Sequence, residues 1–285
     1  EKDDRFLMRK SINIFFFAAG LLMFFVMIYS FGIYNIGYYI NETGYYFVWI
    51  CAVWLFVYVL NALAWYLIIG KNKTGFTKLL AVSISSFAIN YLTPFINLGG
   101  EPFRILAVKE EIGTQQAVSS TMLYNMLHIL SHLFLWIFSI IVVLFFYKLD
   151  AASLIVLIAS LIIITLLVLL FFSAHKNGIF EWLAKFTAKY KMLKSVNTKI
   201  ASNNKLLSLI DKEIIELFEK RKNIFWLTLF IEFFSRLVMS LEFYFILNSI
   251  NMEISIVDSI AINAVSSLIQ NIFFFMPMGF GAREG

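Results

Sequence analysis

Two stretches of the chain, 181 residues apart, place a Glu and an Arg at the end of an apolar run broken by Pro and Gly. The first runs Ser85-Ser86-Phe87-Ala88-Ile89-Asn90 and continues to Pro94, Gly99, Gly100, Glu101 and Arg104. The second runs Ser266-Ser267-Leu268-Ile269-Gln270-Asn271 and continues to Pro277, Gly279, Gly281, Arg283 and Glu284. Interrupting a helix leaves backbone N–H and C=O groups unpaired, which hydrocarbon tolerates only where they line a cavity or find partners. A helix N-terminus can hold phosphate oxygens. Arg104 and Arg283 could add bidentate guanidinium contacts to the same anion. Glu101 and Glu284 could pair with those arginines, accept a cationic headgroup or bind a coupling proton. The plainer alternative is that each Glu and Arg only neutralise one another at a helix end. Paired, interrupted apolar segments point to a transporter's binding site.

A second set of chemically capable residues lies inside continuous apolar runs. Glu232, Arg236 and Glu242 fall in one of them. Each intramembrane charge costs about 2.5–3.5 kcal/mol on insertion scales, so all three are expected to face protein. Glu232 and Arg236 are spaced i, i+4, which allows an ion pair on one helical face. Glu242 is expected near the outer boundary, partly solvated. Thr121, Tyr124, Asn125, His128 and His132 form a polar stripe in another run. Asn125, His128 and His132 follow at i, i+3 and i, i+4 steps and stack on one face. Two His at i, i+4 can bind metal, but that run carries no Asp or Glu to complete a site. Interhelical hydrogen bonding or proton coupling suits them better. Enzyme signatures are thin: there is no Gly-x-Ser-x-Gly, no Walker loop with Lys and no His-Glu-x-x-His. No cofactor and no metal are expected.

These residues must be positioned by membrane helices. Hydrophobic residues make up 61% and charged ones 14% of 285, with mean hydropathy +0.82, whereas soluble domains carry roughly 25% charge. The 32 Phe exceed what one soluble core could bury, so many face lipid. The net charge of +5 sits in loops and reports orientation and anionic headgroups rather than nucleic acid. Cys51 is single, which excludes an intrachain disulfide and a thiol metal cluster.

No charge occurs between Lys10 and Glu42 or between Glu42 and Lys71, so each stretch holds the ~20 residues a span requires. The expected spans are Ile12–Tyr34, Tyr46–Ile69, Ala117–Tyr147, Ala152–Ser173 and Ile224–Leu247. The segments around 79–106 and 258–285 are hydrophobic but broken, which suits re-entrant helices. Arg5, Arg9 and Lys10 put the N-terminus in the cytoplasm, and the loop Asn35 to Tyr45, free of Lys and Arg, outside. Ala174 to Asn223 carries 11 Lys/Arg against 5 Asp/Glu and is read as cytoplasmic. Three spans separate the two broken segments, so the repeats acquire inverted topology. One integral membrane domain, 1–285, is expected, with repeats at about 12–147 and 152–285 and a cytoplasmic amphipathic segment at 174–222. In that segment Phe180, Trp182, Leu183 and Phe186, then Leu206, Leu207, Ile210, Ile214, Ile215 and Phe218, recur at helical spacing. With Glu1 in place of Met and a stop inside the second motif, further helices are expected beyond Gly285.

The run Pro277-Met278-Gly279-Phe280-Gly281-Ala282-Arg283-Glu284-Gly285 resembles the Pro-Gly-Gly-Leu-Gly-Val-Arg-Glu-Gly signature of a flippase-like family. That family is named after the transmembrane region of lysylphosphatidylglycerol synthases. Pro94, Gly99-Gly100-Glu101 and Arg104 are similar to its first signature, and the resemblance covers most of the chain. Met278 stands where the signature has Gly, and Tyr124, Asn125 and His128 stand where many relatives carry charged residues. The resemblance implies a lipid translocase that moves a polar- or anionic-headed lipid between leaflets, here without the soluble aminoacyl-transfer domain. The implied partner is a membrane phospholipid or a lipid-linked headgroup, in a bacterial cytoplasmic membrane; a homo-oligomer is compatible with this. The alternative is a membrane-embedded enzyme acting on a lipid-linked substrate, with Glu284 or His128 as acid/base.

Overall fold

A computed structural model describes residues 25–26, 28–70, 73–92, 100–174, 181, 187–188 and 204–272. Its elements are α1 (Ile33–Thr43), α2 (Tyr45–Ile69), α3 (Phe76–Leu92), α4 (Gly100–Ile112), α5 (Thr114–Phe146), α6 (Ala151–Ala174), α7 (Asn204–Glu219), α8 (Lys222–Ser249) and α9 (Ile256–Ile272). The protein is an all-α polytopic membrane protein. Among the described residues, α2, α5, α6 and α8 are long and apolar enough to cross a bilayer. They coincide, within a few residues, with four of the spans expected from sequence. The first expected span lies largely outside the described residues, as does the amphipathic stretch around Phe180 to Lys191.

Lipid exposure grades the spans. Only 11% of the apolar window of α6 is buried, so most of its Leu and Ile side chains lie on the surface of the described residues. The window of α8 is 44% buried, and α8 carries the intramembrane charges. Polar side chains inside such helices must point inward.

Helix ends are satisfied by side chains, because four N–H and four C=O groups at each end lack intrahelical partners. Asp150 caps α6: its Oδ2 accepts from the N–H of Ala152 at 3.1 Å and of Ser153 at 3.3 Å. Ser255 and Asp258 form a reciprocal box at the start of α9. The Asp258 N–H donates to Ser255 Oγ at 3.1 Å, and the Ser255 N–H donates to Asp258 Oδ2 at 2.7 Å. At the end of α2, Gly70 takes a positive φ of 98° and returns its N–H to Tyr66 O at 3.0 Å.

The outside loop expected at Asn35 to Tyr45 is instead mostly helix, α1. Its polar residues bond back along the helix: Asn35 Nδ2 donates to Phe31 O at 2.8 Å and Thr43 Oγ1 to Tyr39 O at 2.7 Å. Gly32 and Gly44, both at positive φ, bound it. It buries no residue and exposes Tyr34, Tyr38 and Tyr39, a composition suited to the bilayer interface. Charge counting located the segment without reading its helical periodicity.

The chain folds as two compact units. The described residues of the first fall within Glu1–Tyr58, Leu80–Arg104 and Val238–Gly285, and those of the second within Val59–Leu79 and Ile105–Leu237. In the first unit Phe245 packs against Tyr46 and Trp49, each at 6.2 Å between ring centroids, and Asn263 Nδ2 donates to Ser240 Oγ at 2.9 Å. In the second, α5 packs against α6 and α7. An aromatic cluster joins the ends of α6, α7 and α8, with Phe218 and Phe225 4.0 Å apart and Phe172 stacked on Trp226. The α7 stripe buries Ile210 and Leu217.

Candidate functional site

The first constellation belongs to the first unit, where the end of α3 meets the start of α4. Helix α3 stops at Leu92, two residues before Pro94, as the restriction on the residue preceding proline favours. Helix α4 starts at Gly100 with Pro102 in its first turn, where a missing N–H costs nothing. The N–H of Gly100 donates to Asn90 Oδ1 at 2.7 Å, so a side chain satisfies a donor the helix cannot. A Cβ on Gly100 would stand 2.5 Å from both the carbonyl and the hydroxyl oxygen of Ser86 and 2.9 Å from Asn90 Cγ. Only glycine fits this approach of the two backbones.

Arg104, one turn further along α4, is 4% exposed. Its Nε donates to Ser86 Oγ at 3.1 Å and its guanidinium lies over the Phe87 ring at 5.9 Å. Glu101 occupies the first turn of α4, where a carboxylate complements the helix dipole. Its Oε2 is buried and has no hydrogen-bond partner among the described residues. Asn90, Gly100, Glu101 and Arg104 therefore converge on one helix junction. Ser86 and Phe87, quoted from the sequence only as part of the run before Asn90, complete it. In the second motif Asn271 Nδ2 donates to Ser267 O at 2.7 Å. Pro94, Gly99, Pro277, Gly279, Gly281, Arg283 and Glu284 lie outside the described residues.

The second constellation belongs to the second unit and joins α5 to α8. Glu232 is fully buried and Arg236 is 6% exposed. Glu232 Oε2 lies 2.7 Å from His128 Nδ1 and 3.8 Å from Arg236 Nη2. Arg236 Nη2 also lies 2.6 Å from His128 Nδ1 and contacts Nε2. Its Nε donates to Ser131 Oγ at 3.4 Å, and Ser131 in turn donates to the His128 carbonyl at 2.7 Å. Tyr124 OH stands 3.5 Å from His128 Nδ1, and the His132 ring packs edge-on at 5.6 Å. His132 Nδ1 is buried without a hydrogen-bond partner among the described residues. Asn125 does not join the cluster. Ser131 was not singled out in the sequence, although it sits between the two histidines. Nearby, Ser235 Oγ donates to Asn61 Oδ1 at 3.1 Å.

Glu242, expected to be partly solvated, is 6% exposed. It lies two turns beyond Ser235 on α8 and so continues the buried stripe of that helix rather than leaving it.

Outside the spans, the second unit holds an ordered polar layer. Arg221 Nη1 and Nη2 donate to Ile68 O at 3.2 Å and Leu67 O at 2.9 Å, and Gln116 Nε2 to Ile69 O at 3.2 Å. The last carbonyls of α2 are thereby paired. Lys78 donates to Glu111, which holds the Glu111 carboxyl below its ordinary range. A cavity of about 480 Å³ opens beside this pair, lined by Tyr66, Lys73, Thr74, Gly75, Phe76 and Glu111.

The family model described as Lysylphosphatidylglycerol synthase TM region matches residues 12–285. No curated protein and no solved structure matches the chain.

Proposed function

Because this chain belongs to the lysylphosphatidylglycerol synthase TM region family, we propose that it moves a polar- or anionic-headed lipid between the leaflets of a membrane. The observation that carries this reading is the burial of Arg104 beside an interrupted helix, where Asn90 and Gly100 clasp two helix ends together. A guanidinium kept at 4% exposure in an apolar chain is expensive, and a functional role is the default explanation. Its planar fork suits a phosphate, and the donors of an adjacent helix start suit the same group. Arg104, with Arg283 from the second motif, holds the headgroup. Glu101 and Glu284 orient the two arginines. The acyl chains stay in the bilayer while the headgroup crosses.

The test is leaflet exchange of headgroup-labelled phospholipids in proteoliposomes containing the full-length protein. Exchange that is lost in a folded Arg104→Ala/Arg283→Ala protein supports the reading. Exchange that survives the double substitution removes the arginines from the pathway. Mass spectrometry of the same lipids addresses the enzyme alternative, since a chemically altered headgroup would replace translocation with catalysis.

A further inference from the structure

Helix α3 starts just beyond the end of the span α2, and its sequence leaves that start uncapped. The Leu79 N–H returns to the Gly75 carbonyl at 3.2 Å, so the N–H groups of Phe76, Thr77 and Lys78 precede the helical ladder. Gly75 stands at the N-cap, where Ser, Thr, Asp or Asn would supply an acceptor, and it brings no side chain. Neither crowding nor backbone geometry calls for this glycine. A Cβ added to it meets no atom within 4 Å, and its φ is not among the positive ones.

The cavity of about 480 Å³ opens on this helix start. Lys73, on its wall, donates to the neutral amide oxygen Gln116 Oε1 at 3.1 Å, a contact that leaves its charge uncancelled. Glu111 shares the wall, but Lys78 donates to it, answers its charge and holds its carboxyl below the ordinary range. What is left over is one ammonium and the positive end of a helix, which selects an anion. Thr74 is independent support, since it lines the cavity at 6% exposure. Its hydroxyl lies close enough to Glu111 to help lower that carboxyl, yet completes no hydrogen bond among the described residues. A buried polar group left open marks a place for a further polar partner.

The setting decides which anion. Tyr66 lies in the last turn of α2, and its ring meets Phe76 edge-on at 6.0 Å. Aromatic rings where a span ends lie at the level of lipid headgroups. Arg221, bonded to the last carbonyls of α2, adds a further cation to this layer, and such layers attract anionic lipid.

We propose that the cavity at the start of α3 binds the phosphate of a phospholipid headgroup, held by the first N–H groups of α3 and by Lys73. The site belongs to the second unit, whereas Arg104 belongs to the first, and it does not rest on the translocase reading.

Hydrogen exchange at residues 76–78 reads this site in the full-length protein, purified in dodecyl maltoside and phosphate-free buffer. Added phosphatidylglycerol is expected to slow exchange there by about three- to thirtyfold, the range for an anion at a partly buried helix start. Diacylglycerol with the same acyl chains is expected to leave that turn unchanged. Gly75→Asp places a carboxylate at the N-cap, where no atom blocks it. It is expected to protect the turn by itself and to abolish the effect of the lipid, while a cap of this kind supports folding. Lys73→Gln is expected to raise the phosphatidylglycerol concentration for half protection by about two- to fivefold. No protection by phosphatidylglycerol in the wild-type chain, or protection that Gly75→Asp leaves intact, overturns the site. Inorganic phosphate that protects the turn as well as the lipid does overturns the lipid assignment in favour of a soluble anion.

Discussion

The backbone N–H of Gly100 donates to the side-chain oxygen of Asn90, ten residues earlier, and draws the start of α4 onto the end of α3. Gly100→Ala would drive a Cβ to 2.5 Å from two Ser86 oxygens, one of them backbone. Overpacking of this kind costs about 1–3 kcal/mol. Asn90→Ala removes the acceptor and leaves a part-buried donor unpaired, a loss of about 1–3 kcal/mol. Both substitutions are expected to lower the midpoint of thermal unfolding in detergent. The double variant should lose less than the sum, since each disrupts one junction. Strict additivity would mean that the two residues act independently.

Arg221 closes α2 from 153 residues away, with both terminal nitrogens on consecutive carbonyls. Arg221→Met keeps the apolar stem and removes both bonds, at a cost of about 1–3 kcal/mol. Arg221→Lys restores charge but not the fork, and is expected to recover less than half of the loss. Hydrogen exchange at the last turn of α2 reads this directly: protection should fall in Met, fall less in Lys, and stay unchanged at the centre of the helix.

How far the sequence disclosed this architecture varied with the kind of signal. Long charge-free runs located α2, α5, α6 and α8 within a few residues, because bilayer thickness dictates their length. Pro94 and Gly99-Gly100 marked the break between α3 and α4, because proline and glycine act locally. The i, i+4 step brought Glu232 to Arg236, a relation internal to one helix. The pairing of Glu232 with His128 across 104 residues was not legible, since nothing local ties the register of α5 to that of α8. Ser131 was overlooked, and Ser86 was read only as part of the run before Asn90, for the same reason: a serine is unremarkable in a membrane helix until its partner arginine is in place. Helix α1 was missed because absence of charge locates a segment without giving its conformation.

The cap on α6 makes one pH dependence calculable in sign. Asp150 accepts from Ala152 N–H, Ser153 N–H and Ser153 Oγ, and these bonds hold its carboxyl below the ordinary aspartate range. A carboxyl lowered by folding contributes stability that is present above the unfolded value and lost as pH falls through the folded one. Acidification below the ordinary aspartate range should therefore loosen the α5–α6 turn. Asp150→Asn, a cap that does not titrate, should show a shallower acid loss. Parallel acid limbs of the unfolding midpoint against pH would deny Asp150 this role.

A double-mutant cycle on Glu232 and Arg236 separates bracing from function in the buried cluster. Glu232→Leu alone takes the neighbouring carboxylate from the Arg236 cation, whose side chain is 7% exposed, and is expected to cost about 3–5 kcal/mol. Glu232→Leu with Arg236→Met replaces both charges by apolar volume, and such exchanges are often neutral or stabilising. His128 loses the Glu232 and Arg236 contacts in that variant but keeps its place beside Tyr124 and His132. The unfolding midpoint of the double variant should return close to that of the native chain. A pair that only braced the bundle would give back lipid exchange together with stability. A pair that takes part in lipid exchange gives back stability alone, because its charges are gone. Measuring unfolding and exchange on the same four proteins decides between these, and full recovery of both would leave the pair as a brace only.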